Sequence, residues 1–318
     1  MILERKYRTR RIEYNGLLKM IRRLGPIELI RLIRSSDLTV SWWGDRHSAF
    51  LCLLGRLLGR PTIVISGGYD AVRMPEIGYG LGETIQGRIC AHMAFHLSTK
   101  IVVNSMDSKE TIVRNYRVAR KKVEVIYHGT DVFDTPPEWK YEQKRPRLVI
   151  AVGKVSWINL RRKGIETFVR SARFLPTAEF EVIGEWMDNS VEYLKKIAPK
   201  NVAFKTHVND LELVKSYRQA KVAVQVSYHE GFGCALAEAM SFGCVPVVTR
   251  RGALPEVVGE TGYYVEYGSA ENLASAIDLA MNDNKKACLA SERAKCLFTM
   301  DERQRRLFEV VEGVMKKA

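Results

Sequence analysis

The sequence predicts an α/β protein built from two doubly wound parallel sheets, and three observations predict it. Short apolar, β-branched runs alternate with helical stretches along most of the chain. Those runs are mostly apolar rather than alternating, as strands covered on both faces must be. The segment 134–147, DTPPEWKYEQKRPR, breaks the alternation once with three prolines and many charges, and reads as a linker between two similar halves. A length of 318 residues also favours two domains over one.

In the first half the expected strands are Leu38–Trp42, Thr62–Ser66, Lys100–Val103 and Val123–Tyr127. Helical patterns at Ser48–Leu58 and Asp107–Tyr116 lie between them. The half opens on charged helical sequence where such a domain usually has a strand and a glycine-rich turn. Either its first βα unit is absent or a helix stands in its place. In the second half RLVIAVGK, EFEVIGE, VAVQVS, CVPVVT and GYYVEYG read as strands. KGIETFVRSARFL is a helix with Ile165, Phe168, Val169 and Ala172 on one stripe. LELVKSYRQA is another helix, and a third starts near Cys234 and ends at Phe242-Gly243. Alternation of this kind predicts βαβ units, hence two Rossmann-like domains with a cleft between them.

Composition narrows the function. The chain is 46% hydrophobic and 27% charged, as a protein with a sizeable core is. Its six cysteines form no CxxC and no zinc spacing with histidine, and read as core thiols of a reducing cytosol. His92 and His96 are spaced i,i+4 but no acidic residue accompanies them as a metal site needs. No leader-like apolar stretch follows the basic start, and no window is long enough to span a bilayer, so the expected location is cytoplasmic and at most peripheral to a membrane. Net charge is +14, and residues 1–34 carry ten Lys/Arg against three Glu. That end suits an anionic membrane surface. No helix-turn-helix, zinc finger or RNP-like aromatic cluster points to nucleic acid.

The chemistry concentrates in residues 229–240, HEGFGCALAEAM. The turn after VAVQVS lies at the carboxyl end of its strand, where open α/β sheets bind ligands. Gly231 and Gly233 allow close approach, and the following helix offers its amino end to a phosphate. Carboxylates would repel that phosphate but accept well from hydroxyls. Glu230 in the turn and Glu238 within the helix cannot share one helical face as an i,i+4 pair does. They are expected to bracket an extended ligand with sugars at its ends and phosphate between, which describes a nucleotide sugar.

The stretch from VAVQVSYHEGFGCALAEAMSFGCVPVVTRRGALPEVV to GETGYYV resembles the C-terminal domain of retaining glycosyltransferases of family four, which have the GT-B fold. The signature is E-x7-E with GFG after the first Glu, then EAM-x2-G-x-PVV, then G-x-x-PE. The first half is similar more loosely, through KIVVNSMDSKETI and VEVIYHGTDVFD. The resemblance implies an acceptor domain over 1–140, a nucleotide-sugar domain over 145–298, and a terminal helix, about 300–318, packed back on the first. It implies that Glu230 binds hydroxyls of the transferred sugar, that the Gly231, Phe232 and Gly233 backbone meets sugar and phosphate, and that Glu238 holds the ribose. Lys163 is implied at the diphosphate. The second cation there is usually an arginine, and here the place falls to Lys154, or to Arg162 at the end of the insert WINLRR. His207 and Val208 fall where the family meets the base, and Asp131 falls in the loop ending the first domain.

Where the family often has a histidine after the strand PTIVIS, this chain has Gly67-Gly68-Tyr69-Asp70. Gly67 and Gly68 are expected to bring amides to the diphosphate, and Asp70, or His47, to touch acceptor or sugar. The implied reaction is a retaining transfer to a glycan or lipid-linked acceptor hydroxyl with no cofactor; no DxD-type motif calls for a metal. The alternative is a catalytically weak nucleotide-sugar-binding homologue acting as a partner subunit. A glycosidase pair is disfavoured by the phosphate-binding helix, and a dinucleotide enzyme by the lack of GxGxxG after a strand.

Overall fold

The computed structural model describes residues 2–12, 17–130 and 144–316. Asp131 and most of the expected linker lie outside the described residues. The chain divides into two compact units: Met1–Tyr127 with Asp301–Ala318, and His128–Met300.

Unit 1 begins with helices α1 (Leu17–Leu24) and α2 (Pro26–Ser35), then runs β1 (Thr39–Trp42), α3 (Arg46–Leu57), β2 (Thr62–Ile65), α4 (Ile85–Leu97), β3 (Lys100–Val103), α5 (Met106–Tyr116) and β4 (Val123–Val125). The four strands are parallel and lie in chain order, β1-β2-β3-β4. Among the described residues two helices, and no strand, precede β1. An unreversed order has no topological switch point, so this sheet builds no crevice of the kind that flanks a reversal.

Period-2 geometry explains why its strands are apolar on both faces. Val64, Ile101 and Val103 face a core with Ala49 and Cys52 of α3, Ala91, Ala94 and Phe95 of α4, and Ile112 of α5. Ile63, Ile65 and Val102 face the other way.

Unit 2 contains β5 (Leu148–Val152), α6 (Trp157–Arg162), α7 (Ile165–Ser171), β6 (Glu179–Ile183), α8 (Ser190–Ile197), β7 (Val202–Lys205), α9 (Asp210–Gln219), β8 (Val222–Gln225), α10 (Cys234–Ser241), β9 (Val245–Thr249), α11 (Leu254–Val258), β10 (Tyr263–Val265), α12 (Ala270–Met281) and α13 (Asn284–Leu297). The six strands are parallel in the order β10-β9-β8-β5-β6-β7. This is the doubly wound order, with its reversal between β5 and β8. Val149 and Ala151 of β5, Val182 of β6 and Val224 of β8 pack on Phe168 and Val169 of α7, Leu194 of α8 and Ile277 of α12.

The last helix, α14 (Met300–Met315), returns to unit 1. Its Leu307, Val311 and Val314 cover the second face of the first sheet, against Ile63, Ile65, Val102 and Ile126. Arg303 donates to the carbonyls of Ile126 and Tyr127, and Arg306 pairs with Glu124 of β4 at 2.6 Å.

The sequence reading missed β7 and helices α4, α6, α8, α11, α12 and α13. It took WINLRR as an insert; Ser156 accepts from the Asn159 N–H and starts α6 there.

Candidate active site

The switch point of unit 2 brings together the carboxyl ends of β5 and β8. From β8 the chain runs through Ser227, Tyr228 and His229 to Glu230. Backbone bonds fix this turn: Tyr228 N–H donates to Arg162 O at 2.8 Å and Ala253 N–H to Glu230 O at 2.9 Å. The Thr249 hydroxyl donates to Ser227 O at 2.6 Å. Gly233, with φ 96°, is the N-cap of α10 and has no side-chain cap bond.

Lys163 closes α6 as its C-cap, and Gly164 follows with φ 68°. A Cβ on Gly164 would stand 2.2 Å from Val226 O, so only glycine lets the α6–α7 joint press against the end of β8. Gly164→Ala is therefore expected to lose about 2 kcal/mol or more of stability, from strain plus displaced backbone. Urea unfolding checks it; an unchanged midpoint would refute the close-packing account.

The result is a cluster around one carboxylate. Glu230 Oε2 lies 3.6 Å from Lys163 Nζ and 3.8 Å from Arg162 Nη1, and accepts from the Gln225 amide. All three charged side chains are largely buried. Burial pushes the Glu230 carboxyl up, but Lys163, Arg162, His229 and the Gly231 N–H outweigh it and hold it below the usual range. It stays ionised and aimed at two cations. Lys154 does not join them: it pairs with Glu185 at 3.0 Å on the exposed rim. Of the two candidates for the second cation, Arg162 is the one at Glu230.

Glu238 sits half-buried on α10 and accepts from the Tyr217 hydroxyl at 2.9 Å. Burial raises its carboxyl above the usual range; the Tyr217 bond opposes that rise and Asp210 adds to it. Phe232 is buried, its ring edge-to-face with His128 at 5.4 Å and Phe298 at 5.2 Å. Its side chain is core, which leaves its backbone for the role expected of it. His207, at φ 52°, and Val208 follow β7 on the same carboxyl edge of the sheet, just before the Asn209 cap of α9.

Unit 1 corrects the expectation for Asp70. Its side chain is 0% exposed, and its oxygens accept from Gly44 N–H at 2.6 Å and the Ser66 hydroxyl at 2.8 Å. A carboxylate so enclosed ties the β1–α3 turn to the end of β2 and has no face for a substrate. Gly67 and Gly68 also have local reasons. A Cβ on Gly67 would lie 2.2 Å from the Trp43 ring, and Gly68 has φ 98° and is buried. Indole therefore fills the side-chain position of Gly67, which stays half-buried. His47 is held at both ring nitrogens, by Asp45 and by Trp42 O. His92 and His96 stack at 4.2 Å, with His96 Nε2 at Tyr116 O. Among the described residues no three His, Cys, Asp or Glu side chains gather as a metal site.

Sequence reading missed Gln225 and Tyr217. The first had a signal, a polar residue inside the apolar strand VAVQVS. Tyr217 had none, because its partner Glu238 is distant in sequence.

The chain matches the sequence profile of glycosyl transferases group 1 over residues 138–296. An uncharacterised glycosyltransferase of Methanocaldococcus jannaschii is 25% identical over 237 residues, 67% of this chain and 60% of that protein. A capsular polysaccharide biosynthesis glycosyltransferase of Staphylococcus aureus is 29% identical over 227 residues, 63% of this chain and 58% of its own length. The matches thus span less than two thirds of these relatives. Among solved structures, an Anabaena protein in complex with UDP and glucose superposes with a TM-score of 0.71 at 18% identity, covering 92% of this chain and 83% of that one. A sucrose-phosphate synthase from Thermosynechococcus elongatus gives 0.74 at 18%, covering 96% and 81%. The fold is that of GT-B glycosyltransferases, two Rossmann-like parallel-sheet domains.

Proposed function

The chain belongs to the glycosyl transferases group 1 family, and we propose that it moves a sugar from a nucleoside-diphosphate sugar to an acceptor hydroxyl, as a retaining, metal-independent enzyme of family four. The observation that carries this is the Glu230–Arg162–Lys163 cluster at the switch point, ahead of the amino end of α10.

In this reading Glu230, kept ionised by its two cations, accepts from hydroxyls of the transferred sugar. As the bond from anomeric carbon to phosphate oxygen breaks, negative charge grows on the leaving diphosphate. Lys163, Arg162 and the α10 amino end are fixed in advance to offset it. The acceptor hydroxyl attacks from the side the diphosphate leaves, and its proton passes to that diphosphate. Retention follows without a protein nucleophile. Glu238 would hold the ribose diol, and the His207–Val208 loop the base. UDP is the nucleotide of choice because the Anabaena neighbour carries it. The partner-subunit alternative gains no support from any relative.

A glycan or lipid-linked acceptor fits the basic amino-terminal segment, where Ile27 and Ile30 are exposed on α2 beside Arg31 and Arg34. No helix among the described residues is long and apolar enough to cross a membrane, so contact with an anionic surface would be peripheral.

Incubation with UDP-, GDP- and ADP-sugars, with and without a chelator, tests the reaction. Nucleotide release that survives the chelator and a product of unchanged anomeric configuration are expected. Inverted product would sink the retaining assignment.

Glu238 sets a second test. Its raised carboxyl accepts from both ribose hydroxyls best when ionised, so donor affinity should fall on the acid side. Tyr217→Phe removes the bond that favours ionisation. The acid limb of UDP affinity should then move to higher pH, with little change at alkaline pH. Titration calorimetry across pH reads the limb; an unmoved limb would separate Glu238 from donor binding.

A further inference from the structure

Gln225 ends β8, after Val222, Ala223 and Val224. Alternation along the strand sends Val224 into the core beneath α7 and α12 and turns Gln225 to the opposite face. There it is buried, at 6% exposed. An amide in that place costs stability unless it is bonded, and an aliphatic residue would suit the strand better. Its Nε2 donates to Glu230 Oε2, and its Oε1 lies toward the cap of α10: a Cβ on Gly233 would stand 3.4 Å from it. The side chain is wedged between the carboxylate and the start of that helix.

Glu230 has stronger neighbours, but they do not aim it. Lys163 at 3.6 Å and Arg162 at 3.8 Å are both beyond the length of an N–H···O hydrogen bond. They attract the charge, and such attraction depends little on which way the carboxylate is turned. His229 and the Gly231 N–H also face it. Among the described residues Gln225 is the one side chain in hydrogen-bond contact with Glu230, and so the one side chain that gives it a direction. Gln225, Lys163 and Arg162 all make their closest approach to the same oxygen, Oε2.

We propose that Gln225 is a positioning residue: its amide pins Oε2 beside the two cations and leaves Oε1 to a hydroxyl of the transferred sugar. This role rests on the transferase reading and adds to it the group that sets the aim of Glu230.

NMR of isotope-labelled glutamate carboxyls in the whole chain tests the contact without turnover, with the Glu230 signal assigned by its loss in Glu230→Gln. Gln225→Leu removes the amide and keeps a side chain of similar bulk. The Glu230 titration should then move to higher pH, because a donor to the ionised form is gone while Arg162, Lys163, His229 and the Gly231 N–H remain. With a UDP-sugar that wild type uses, kcat/KM should fall about tenfold or more, the scale of one hydrogen bond to a charged group. UDP affinity should stay within about twofold, since UDP has no transferred sugar. Gln225→Glu keeps the shape but sets two carboxyls against each other, so that they share a proton. Its kcat/KM should be lowest at alkaline pH and climb as pH falls through the raised value of the pair, where the shared proton restores the bond. A packing role predicts no such dependence.

An unmoved Glu230 titration in Gln225→Leu, or a kcat/KM equal to that of wild type, overturns the role. Equal losses of kcat/KM and UDP affinity make Gln225 a support for α10 and overturn it as well. A Gln225→Glu profile without the alkaline loss overturns it even if Gln225→Leu does not fold. If wild type turns over no donor, the transferase reading fails, and the NMR titration still decides whether Gln225 holds the carboxylate.

Discussion

Glu230→Gln is expected to lower kcat/KM by about 100-fold or more, the scale of losing one preorganised polar contact at a reacting centre. UDP affinity should change by only a few-fold, because UDP has no transferred sugar for Glu230 to hold. The contrast matters because the substitution also disturbs Arg162 and Lys163, which lose the carboxylate they face at 3.8 and 3.6 Å. If that disturbance were the whole effect, UDP affinity would fall with kcat/KM. Steady-state kinetics beside calorimetry separates the two, and parallel losses would remove Glu230 from the sugar. Protonation gives a further check. Glu230 lies below the usual carboxylate range, so it remains charged well into acid, and its contribution to stability is lost only as pH falls through that lowered value. The acid limb of activity should then follow Glu238, whose carboxyl is raised.

Asp70→Ala is expected to cost about 2–4 kcal/mol, since it empties a buried site and strands the Gly44 N–H and the Ser66 hydroxyl. Asp70→Asn should cost much less: its amide oxygen still accepts, and the Ser66 hydroxyl can turn to accept from the new NH2. Burial raises the Asp70 carboxyl above its ordinary 3.8, against the bonds from Ser66, Gly44 and Gly68. The folded protein therefore holds this proton more tightly than the unfolded chain. Stability from this group is complete below pH 3.8 and declines as pH rises through the raised value. Asp70→Asn should remove that decline. Urea unfolding at several pH values measures both effects, and an Asp70→Ala protein as stable as wild type would contradict the burial argument.

The second half of the sequence was easier to read than the first for a physical reason. Around Glu230 the proposed function and the fold use the same short stretch: an apolar strand, a glycine turn and a helix start, all consecutive. Arg162 was legible only as one of two choices, because nothing in WINLRR says that α6 turns its last arginine inward and leaves Lys154 to Glu185. Asp70 misled because an acid after two glycines at a strand end looks presented to solvent. Its partner Gly44 lies on another turn, and the Trp43 ring that packs on Gly67 belongs to that same turn. Tyr217 was invisible for a similar reason. Pairings across elements decide such sites, and local pattern does not contain them.

The path of the chain also constrains the order in which it can fold during synthesis. Unit 2 is contiguous, from His128 to Met300, whereas unit 1 is split around it. On the ribosome unit 2 can close its core as soon as it emerges. The first sheet, made earlier, must wait with Ile63, Ile65 and Val102 uncovered until Leu307, Val311 and Val314 arrive. The half that begins first is thus completed last. During that interval its bare apolar face is where a chaperone would bind, and where a nascent chain stalled before α14 would aggregate.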